Sequence, residues 1–574
     1  MALLAMVTAT WAGPASPAAS ASATPYAKRL TGYLTTPDGA ALRYSVMLPR
    51  ATGRFPVALI YNGYDAGSIG GSSWLAGDTW MSANLETDML RHGYAVMGLQ
   101  MRGTGCSTGK LSFFTKQWGT DGAQGVEWAA RQRWATGKVG MFEWSWPGIS
   151  QLFTAAQRPK GLAAIAPGMV VTDPLRDVGA PGGLGNVSFP ALWWATIQDA
   201  WTYAGSSAES EGDVTCLAHL AINGATGQAS SPPTLTAHPF EDAYWANHDL
   251  LHRTKRIDIP VLSMVDWQDE EVGSRAGYYW NNLDPRKTWL VGTNGQHDIY
   301  LSRSFRADLF AFFGHYLKGT HNGFKHTPHL QLWQDTTASG GAQSSDAQLT
   351  NAKPSLIVTQ RRLPLRVRAN RLYFTSTGAL SPRRPTASSG AQSFVPAPGP
   401  AVNFDVPSAV TGGDGGPAGE APWQTSTSTT GALTFTSPPL AKSVVVAGPA
   451  SVNLWVNTAL PVGALQATLS DVRADGQETY LQRGWLDLTQ RAVDKRLSTP
   501  LMPFHPQTLA SVRPMVPGKP SLARIELPNV SHVFHKGSSI RITLDAPSPT
   551  GDWAFDAVPT GVATVNSNRV HPSS

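Results

Sequence analysis

Three things are scarce in this 574-residue chain. Cysteine occurs twice, as Cys106 and Cys216. That excludes a disulfide-built scaffold, and neither the number nor the spacing suggests a metal site. Charged residues make up only 15%, and the net charge of +6 comes with no long Lys/Arg run. A nucleic-acid partner needs basic residues gathered on one face, so that class has little support. No apolar run reaches the length of a typical membrane span, so stable membrane insertion is not expected.

Glycine (56), proline (43) and tryptophan (20) are plentiful, with hydrophobic residues at 42%. The length exceeds what one core organises and suits two or three domains. The mix fits a compact, loop-rich enzyme with much β structure. The N-terminus, MALLAMVTATWAGPASPAASASATP, is apolar and then small and Pro-rich. Ala21-Ser22-Ala23 offers a cleavage site before Thr24. No Lys or Arg precedes the apolar run, yet residues 1–23 read as a signal peptide and predict a secreted, extracellular protein. In an oxidising compartment Cys106 and Cys216 can pair. The bond would close a loop of about 100 residues and contribute about 4–5 kcal/mol by restricting the unfolded chain. The alternative is two unrelated buried thiols.

FPVALIYNGY from Phe55 is a continuous apolar run that ends in turn residues, as a buried strand does. GYAVMGLQ from Gly93 is another, and it leads into the Gly-rich loop MRGTGCSTG. Helical spacing marks Met81 to Arg91 and Asp121 to Trp134. KVGMFEWS then reads as a strand, PGISQLFTAAQ as a helix and GLAAIAPG as a strand. Alternation of this kind predicts a mostly parallel α/β sheet. It breaks over residues 169–252, which are rich in aromatics such as Trp193, Trp194, Tyr244 and Trp245 and read as an inserted helical cap. It resumes with IDIPVLSMVDW and TWLVGTNGQH. From about residue 345 to 574 short β-branched runs separated by Gly/Pro/Ser turns replace the helical pattern and predict an all-β sandwich. Thr411 to Pro422 reads as a loop. The α/β domain is thus expected over residues 24–168 and 253–335.

Acyl transfer by serine needs a base beside the hydroxyl, a carboxylate to orient the base, and fixed donors for the oxyanion. On an α/β-hydrolase sheet the chain order is Ser, acid, His. Ser145 sits between a strand and a helix, in MFEWSWPGIS. Asp269 follows PVLSMV, and His297 follows TWLVGT. All three lie just past the carboxyl ends of expected strands, where open α/β sheets bind ligands. Each has a bland reading: a helix N-cap for Ser145, a solvated acidic run for Asp269 with Asp266, Glu270 and Glu271, and one histidine among 14 for His297. Their joint placement favours catalysis.

Several stretches give this reading a family. NGYD at Asn62, RGTGCSTG at Arg102, GMFEWSWPGISQLFTAA at Gly140, IPVLSMVDWQD at Ile259 and GTNGQHD at Gly292 together resemble the CocE/NonD serine hydrolases, the group of cocaine esterase and the X-Pro dipeptidyl-peptidase-like enzymes. RLYFTSTGALSP and GPASVNLWV extend the resemblance through the C-terminal half. The resemblance implies an α/β-hydrolase domain with an inserted helical cap and a C-terminal jelly-roll. It implies Ser145 as nucleophile, Asp269 as acid, His297 as base, and the Tyr64 hydroxyl with the Trp146 amide as oxyanion donors. Tyr64 comes from the resemblance alone. The implied substrate is a small ester or a short peptide, X-Pro peptides included, and neither metal nor cofactor is needed.

Relatives usually carry glycine two residues before the nucleophile, where strand and helix crowd. This chain has Glu143. Glu143 and Asp65 are the candidates to bind a substrate ammonium, and Glu143 could instead tune the histidine or simply point away. The rival to an enzyme is a non-catalytic extracellular binding protein on the same scaffold, because fold alone does not fix function.

Overall fold

The computed structural model describes residues 26–64, 83–225, 237–269, 271–295, 297–336, 352–363, 365–397, 431–549, 551 and 553–574. The signal-peptide reading, Asp65, Glu270 and the Thr411–Pro422 loop fall outside them.

Ten strands form the first sheet: β1 (Lys28–Thr35), β2 (Ala41–Leu48), β3 (Phe55–Asn62), β4 (Ala95–Gln100), β5 (Ala135–Trp144), β6 (Leu162–Gly168), β7 (Val261–Asp266), β8 (Thr288–Thr293), β9 (Leu330–Gln334) and β10 (Leu356–Gln360). Their spatial order is β1-β2-β4-β3-β5-β6-β7-β8-β9-β10. From β4 to β9 every pairing is parallel, and antiparallel strands close both edges. Every residue of β3, β4, β7 and β8 is buried, as strands covered on both faces require.

Helices α1 (Ala83–Arg91), α2 (Lys116–Ala130), α3 (Ser145–Ala155) and α7 (Arg303–Lys318) cover the sheet. Helix α2 begins five residues before the expected Asp121, with Thr115 at its N-cap position. Its glycines lower helix propensity but admit a close approach. A Cβ on Gly122 would meet Thr154 Oγ1 of α3 at 2.0 Å. The segment between β6 and β7 carries α4 (Phe189–Glu211), α5 (Val214–Ala225) and α6 (Ala243–His248).

The C-terminal region is all β: β11 (Tyr373–Phe374), β12 (Leu380–Ser381), β13 (Ala391–Phe394), β14 (Leu433–Thr436), β15 (Val444–Thr458), β16 (Ala464–Val472), β17 (Glu478–Asp487), β18 (Ser521–Phe534), β19 (Ser539–Asp545) and β20 (Ala563–Asn566). Eight of these form two antiparallel sheets, β13-β20-β15-β18 and β14-β19-β16-β17. Leu454, Leu465, Leu486, Ile525, Leu544 and Val565 close a common core. The runs KSVVVAG and SVNLWVNT are one strand, β15, whose register shifts between Gly448 and Ala450. Pro449, which lacks an N–H, is accommodated in that irregularity. Among the described residues no helix is long and apolar enough to cross a membrane.

Candidate active site

Strand β5 ends at Trp144 and α3 starts at Ser145, with no loop between them. The reversal is made in the backbone: Glu143 has φ 101° and Ser145 has φ 59°. Positive φ costs a non-glycine residue of order 1–3 kcal/mol and persists only where the surroundings enforce it. Here they do. Gln151 Nε2 donates to the Glu143 carbonyl (2.9 Å), and the same side chain accepts from the Ala166 amide (3.0 Å). The Glu143 amide donates to Tyr300 Oη (3.1 Å), whose hydroxyl donates to the Ala166 carbonyl (2.7 Å). One turn into α3, a Cβ on Gly148 would lie 2.6 Å from the Gly168 carbonyl, so only glycine lets α3 approach β6 this closely.

These contacts sharpen the oddity of Glu143. Its position suits glycine for conformational reasons as well as for space. Its side chain is buried, and its charge adds to the burial that pushes the Tyr300 hydroxyl well above its usual pKa. Glu143 is not among the described residues lining the cavity beside Ser145.

Ser145 Oγ lies 3.0 Å from Tyr64 Oη. Trp193 of α4 donates its indole N–H to the same Tyr64 oxygen at 3.3 Å. The Tyr64 hydroxyl thus lies between the Trp193 indole, which donates to it, and the serine hydroxyl. Trp146 packs edge-on against Tyr64, ring centroids 5.2 Å apart. Its amide belongs to the first turn of α3, where no intrahelical carbonyl is available and the helix dipole is positive. A hydroxyl and a helix-end amide therefore flank Ser145.

His297 follows β8, and Asp269 follows β7. Nδ1 of His297 lies 2.9 and 3.0 Å from the two oxygens of Asp269. Asp269 is oriented by its own loop, Oδ1 accepting from the amides of Glu271 (2.9 Å) and Val272 (2.8 Å). Asp266 instead accepts from the Gln268 amide, wholly buried, and shapes the turn. Glu271 lies on the other side of the ring, 3.4 Å from Nε2. Burial alone would lower the His297 pKa. Asp269 above all, with Glu271 and Asp298, outweighs it and holds the imidazole well above its usual value. In this arrangement the imidazolium is favoured.

Beside Ser145 opens a cavity of about 480 Å³. Its walls are aromatic: Phe113, Trp118 and Trp146 from the sheet domain, Trp193 and Trp194 from α4, and Trp245 from α6. The described lining residues bear no carboxylate. His248, also in the lining, has its pKa lowered by burial. Cys106, in the loop after β4, is bridged to Cys216 of α5, Cα to Cα 4.6 Å, which ties the helical insertion to the sheet.

Reading the residues alone singled out Ser145, Asp269 and His297; the structure brings Asp269 and His297 into contact and sets Ser145 against Tyr64 at the same end of the sheet. Glu271 had registered only as a competitor of Asp269, and the indole of Trp193 only as part of an aromatic segment.

Comparison with known proteins gives this arrangement a context. Residues 38–298 match the family model of the X-Pro dipeptidyl-peptidase (S15 family). Residues 322–572 match that of the X-Pro dipeptidyl-peptidase C-terminal non-catalytic domain. Cocaine esterase of Rhodococcus sp. is 27% identical over 342 residues, 52% of this chain and 58% of that protein. This chain therefore matches little more than half the length of that relative. A CocE/NonD family hydrolase from Staphylococcus aureus superposes with a TM-score of 0.72 at 18% identity, covering 95% of this chain and 94% of the other. An α-amino acid ester hydrolase gives the same TM-score at 17% identity, covering 98% and 99%. Both likenesses are of fold.

Proposed function

We propose that this chain, which belongs to the CocE/NonD-like X-Pro dipeptidyl-peptidase family and is a serine hydrolase, cleaves carboxylic esters of apolar, aromatic acyl groups through Ser145, His297 and Asp269. The observation that carries the reading is the 3.0 Å contact between Ser145 Oγ and Tyr64 Oη in the wall of an aromatic cavity. Ser145 attacks the carbonyl as neutral His297 takes its proton. Asp269 holds the imidazole in the productive orientation and stabilises the imidazolium that forms. The Tyr64 hydroxyl and the Trp146 amide receive the oxyanion, a contribution of about 3–4 kcal/mol for such a donor. The imidazolium protonates the leaving alcohol, and water then cleaves the acyl-enzyme by the same steps in reverse.

Among the described residues the cavity wall bears no carboxylate, which supports an apolar acyl group over one that carries an ammonium. A second reading, X-Pro peptides or aminoacyl esters, is favoured by Glu271, whose side chain is one-third exposed beside His297 and could pair with a free α-ammonium. We place the protein in an exported, oxidising setting, a reading supported by the Cys106–Cys216 bridge.

The test is one enzyme sample offered aryl acyl esters and Ala-Pro or Gly-Pro anilides, with Ser145→Ala as control. Preference for the aryl esters, loss of turnover and loss of fluorophosphonate labelling in Ser145→Ala are expected. Undiminished hydrolysis by Ser145→Ala would refute the nucleophile, and preference for the anilides would replace the substrate class.

A further inference from the structure

The loop that carries Asp269 is held from the C-terminal domain. It leaves β7 at Asp266 and ends at the helical turn Arg275–Asn282. Gln482, in the middle of β17, reaches across both of its ends. Its Nε2 lies 3.0 Å from the Trp267 carbonyl, 3.0 Å from Ser274 Oγ and 3.1 Å from the Asn529 carbonyl of β18. Trp267 lies just before Asp269 and Ser274 just beyond it. The Gln482 amide is itself fixed, its Oε1 accepting from the Arg483 amide at 2.9 Å. Gln482 is 5% exposed and Ser274 1%. Two more bonds run the same way: Gln268 Nε2 donates to the Tyr480 carbonyl at 2.7 Å, and Ser274 Oγ donates to the Asn529 carbonyl at 2.7 Å.

The backbone amides of this loop aim the Asp269 carboxylate, and the Gln482 side chain of β17, with the Tyr480 carbonyl of β17 and the Asn529 carbonyl of β18, fixes the loop. Buried donors and acceptors in such a set are costly to leave unpaired, so the loop has one favoured position. We propose that Gln482 is a positioning residue for the reaction. By stapling the two ends of the Asp269 loop to the C-terminal sheets it sets the carboxylate against His297 Nδ1. The domain matched by a model described as non-catalytic thereby takes part in catalysis without touching substrate. The inference rests on the triad reading above.

Gln482→Met keeps the length and removes the donor. A displacement of about 1 Å in a catalytic constellation costs on the order of a hundredfold, so kcat for an aryl ester should fall about 10- to 100-fold with KM within about twofold. The acid limb of the pH profile should move to lower pH as His297 loses part of its contact with Asp269. In an Asp269→Asn background the same change should cost less than about twofold, because the carboxylate it positions is gone. Should Gln482→Met show no cooperative thermal transition, Ser274→Ala serves instead. It should lower kcat about 3- to 10-fold, and that loss should also vanish in Asp269→Asn. Wild-type kcat in the folded variant, or an equal loss in both backgrounds, would overturn the staple while the triad stands. Full activity of Asp269→Asn alone would overturn the triad reading and the staple with it.

Discussion

The serine turn and the Asp269 loop stand at the same end of one sheet, yet they are held in opposite ways. The contacts described above that hold the turn come from its own domain: Gln151 from α3, Tyr300 after β8, and the close approach of Gly148 to β6. The turn stores strain, with positive φ at Glu143 and Ser145. The Asp269 loop is fastened by β17 and β18, and by an ionic cluster in which Arg275 meets Asp177 at 2.8 Å and Glu526 of β18 at 3.2 Å. The proposed nucleophile is thus placed by local backbone geometry, and the proposed acid by tertiary contact between domains.

The sharpest way to break that contrast is at Arg275. Arg275→Met leaves Asp177 and Glu526 without their shared cation, and removing one partner of a buried set costs about 3–5 kcal/mol. Urea unfolding should show a loss of that order, and a change under about 0.5 kcal/mol would mean that the domains are joined by other contacts. Tyr64→Phe tests the nucleophile side, where no unfolding is expected. It should lower kcat about 10²- to 10³-fold with KM little altered, and an unchanged kcat would remove Tyr64 from the oxyanion site. Glu143→Gly should relieve the turn, stabilising the fold by about 1–3 kcal/mol. A thermal midpoint that falls would show that the buried Glu143 side chain contributes more than its backbone costs. The smallest effect is expected from Glu271→Gln. His297 has a raised pKa in the fold, so the charged form is favoured. The stabilisation that this gives is complete below the usual imidazole range and is lost as pH rises through the raised value. As the proposed base, His297 must be neutral. Removing the Glu271 charge should therefore move the acid limb of kcat/KM to lower pH, and an unmoved limb would mean that Glu271 does not act on His297.

The same contrast explains what could be read in advance. Continuous apolar runs identified β3 and β4, because strands covered on both faces carry that signature. The strand-to-helix switch at Ser145 was equally plain, since period and turn change within a few residues. Glu143 stood out only by its type; that its φ is positive is a property of the folded turn. Gln482 carried no signal at all. A polar residue in a β-strand is ordinary, and its role arises from contacts more than 200 positions away in the chain. Glu271 was visible as an acid in an acidic run, but which of four carboxylates meets which ring nitrogen depends on the path of a loop that local spacing does not dictate.

The Cys106–Cys216 bridge joins positions 110 residues apart. The stretch it encloses includes Ser145, Gly148, Trp193 and Trp194, so Ser145 and part of the cavity wall lie on one covalent ring. A single backbone cut anywhere inside that ring would leave both fragments attached. The part of the molecule that carries Ser145 can therefore be nicked by a protease without coming apart.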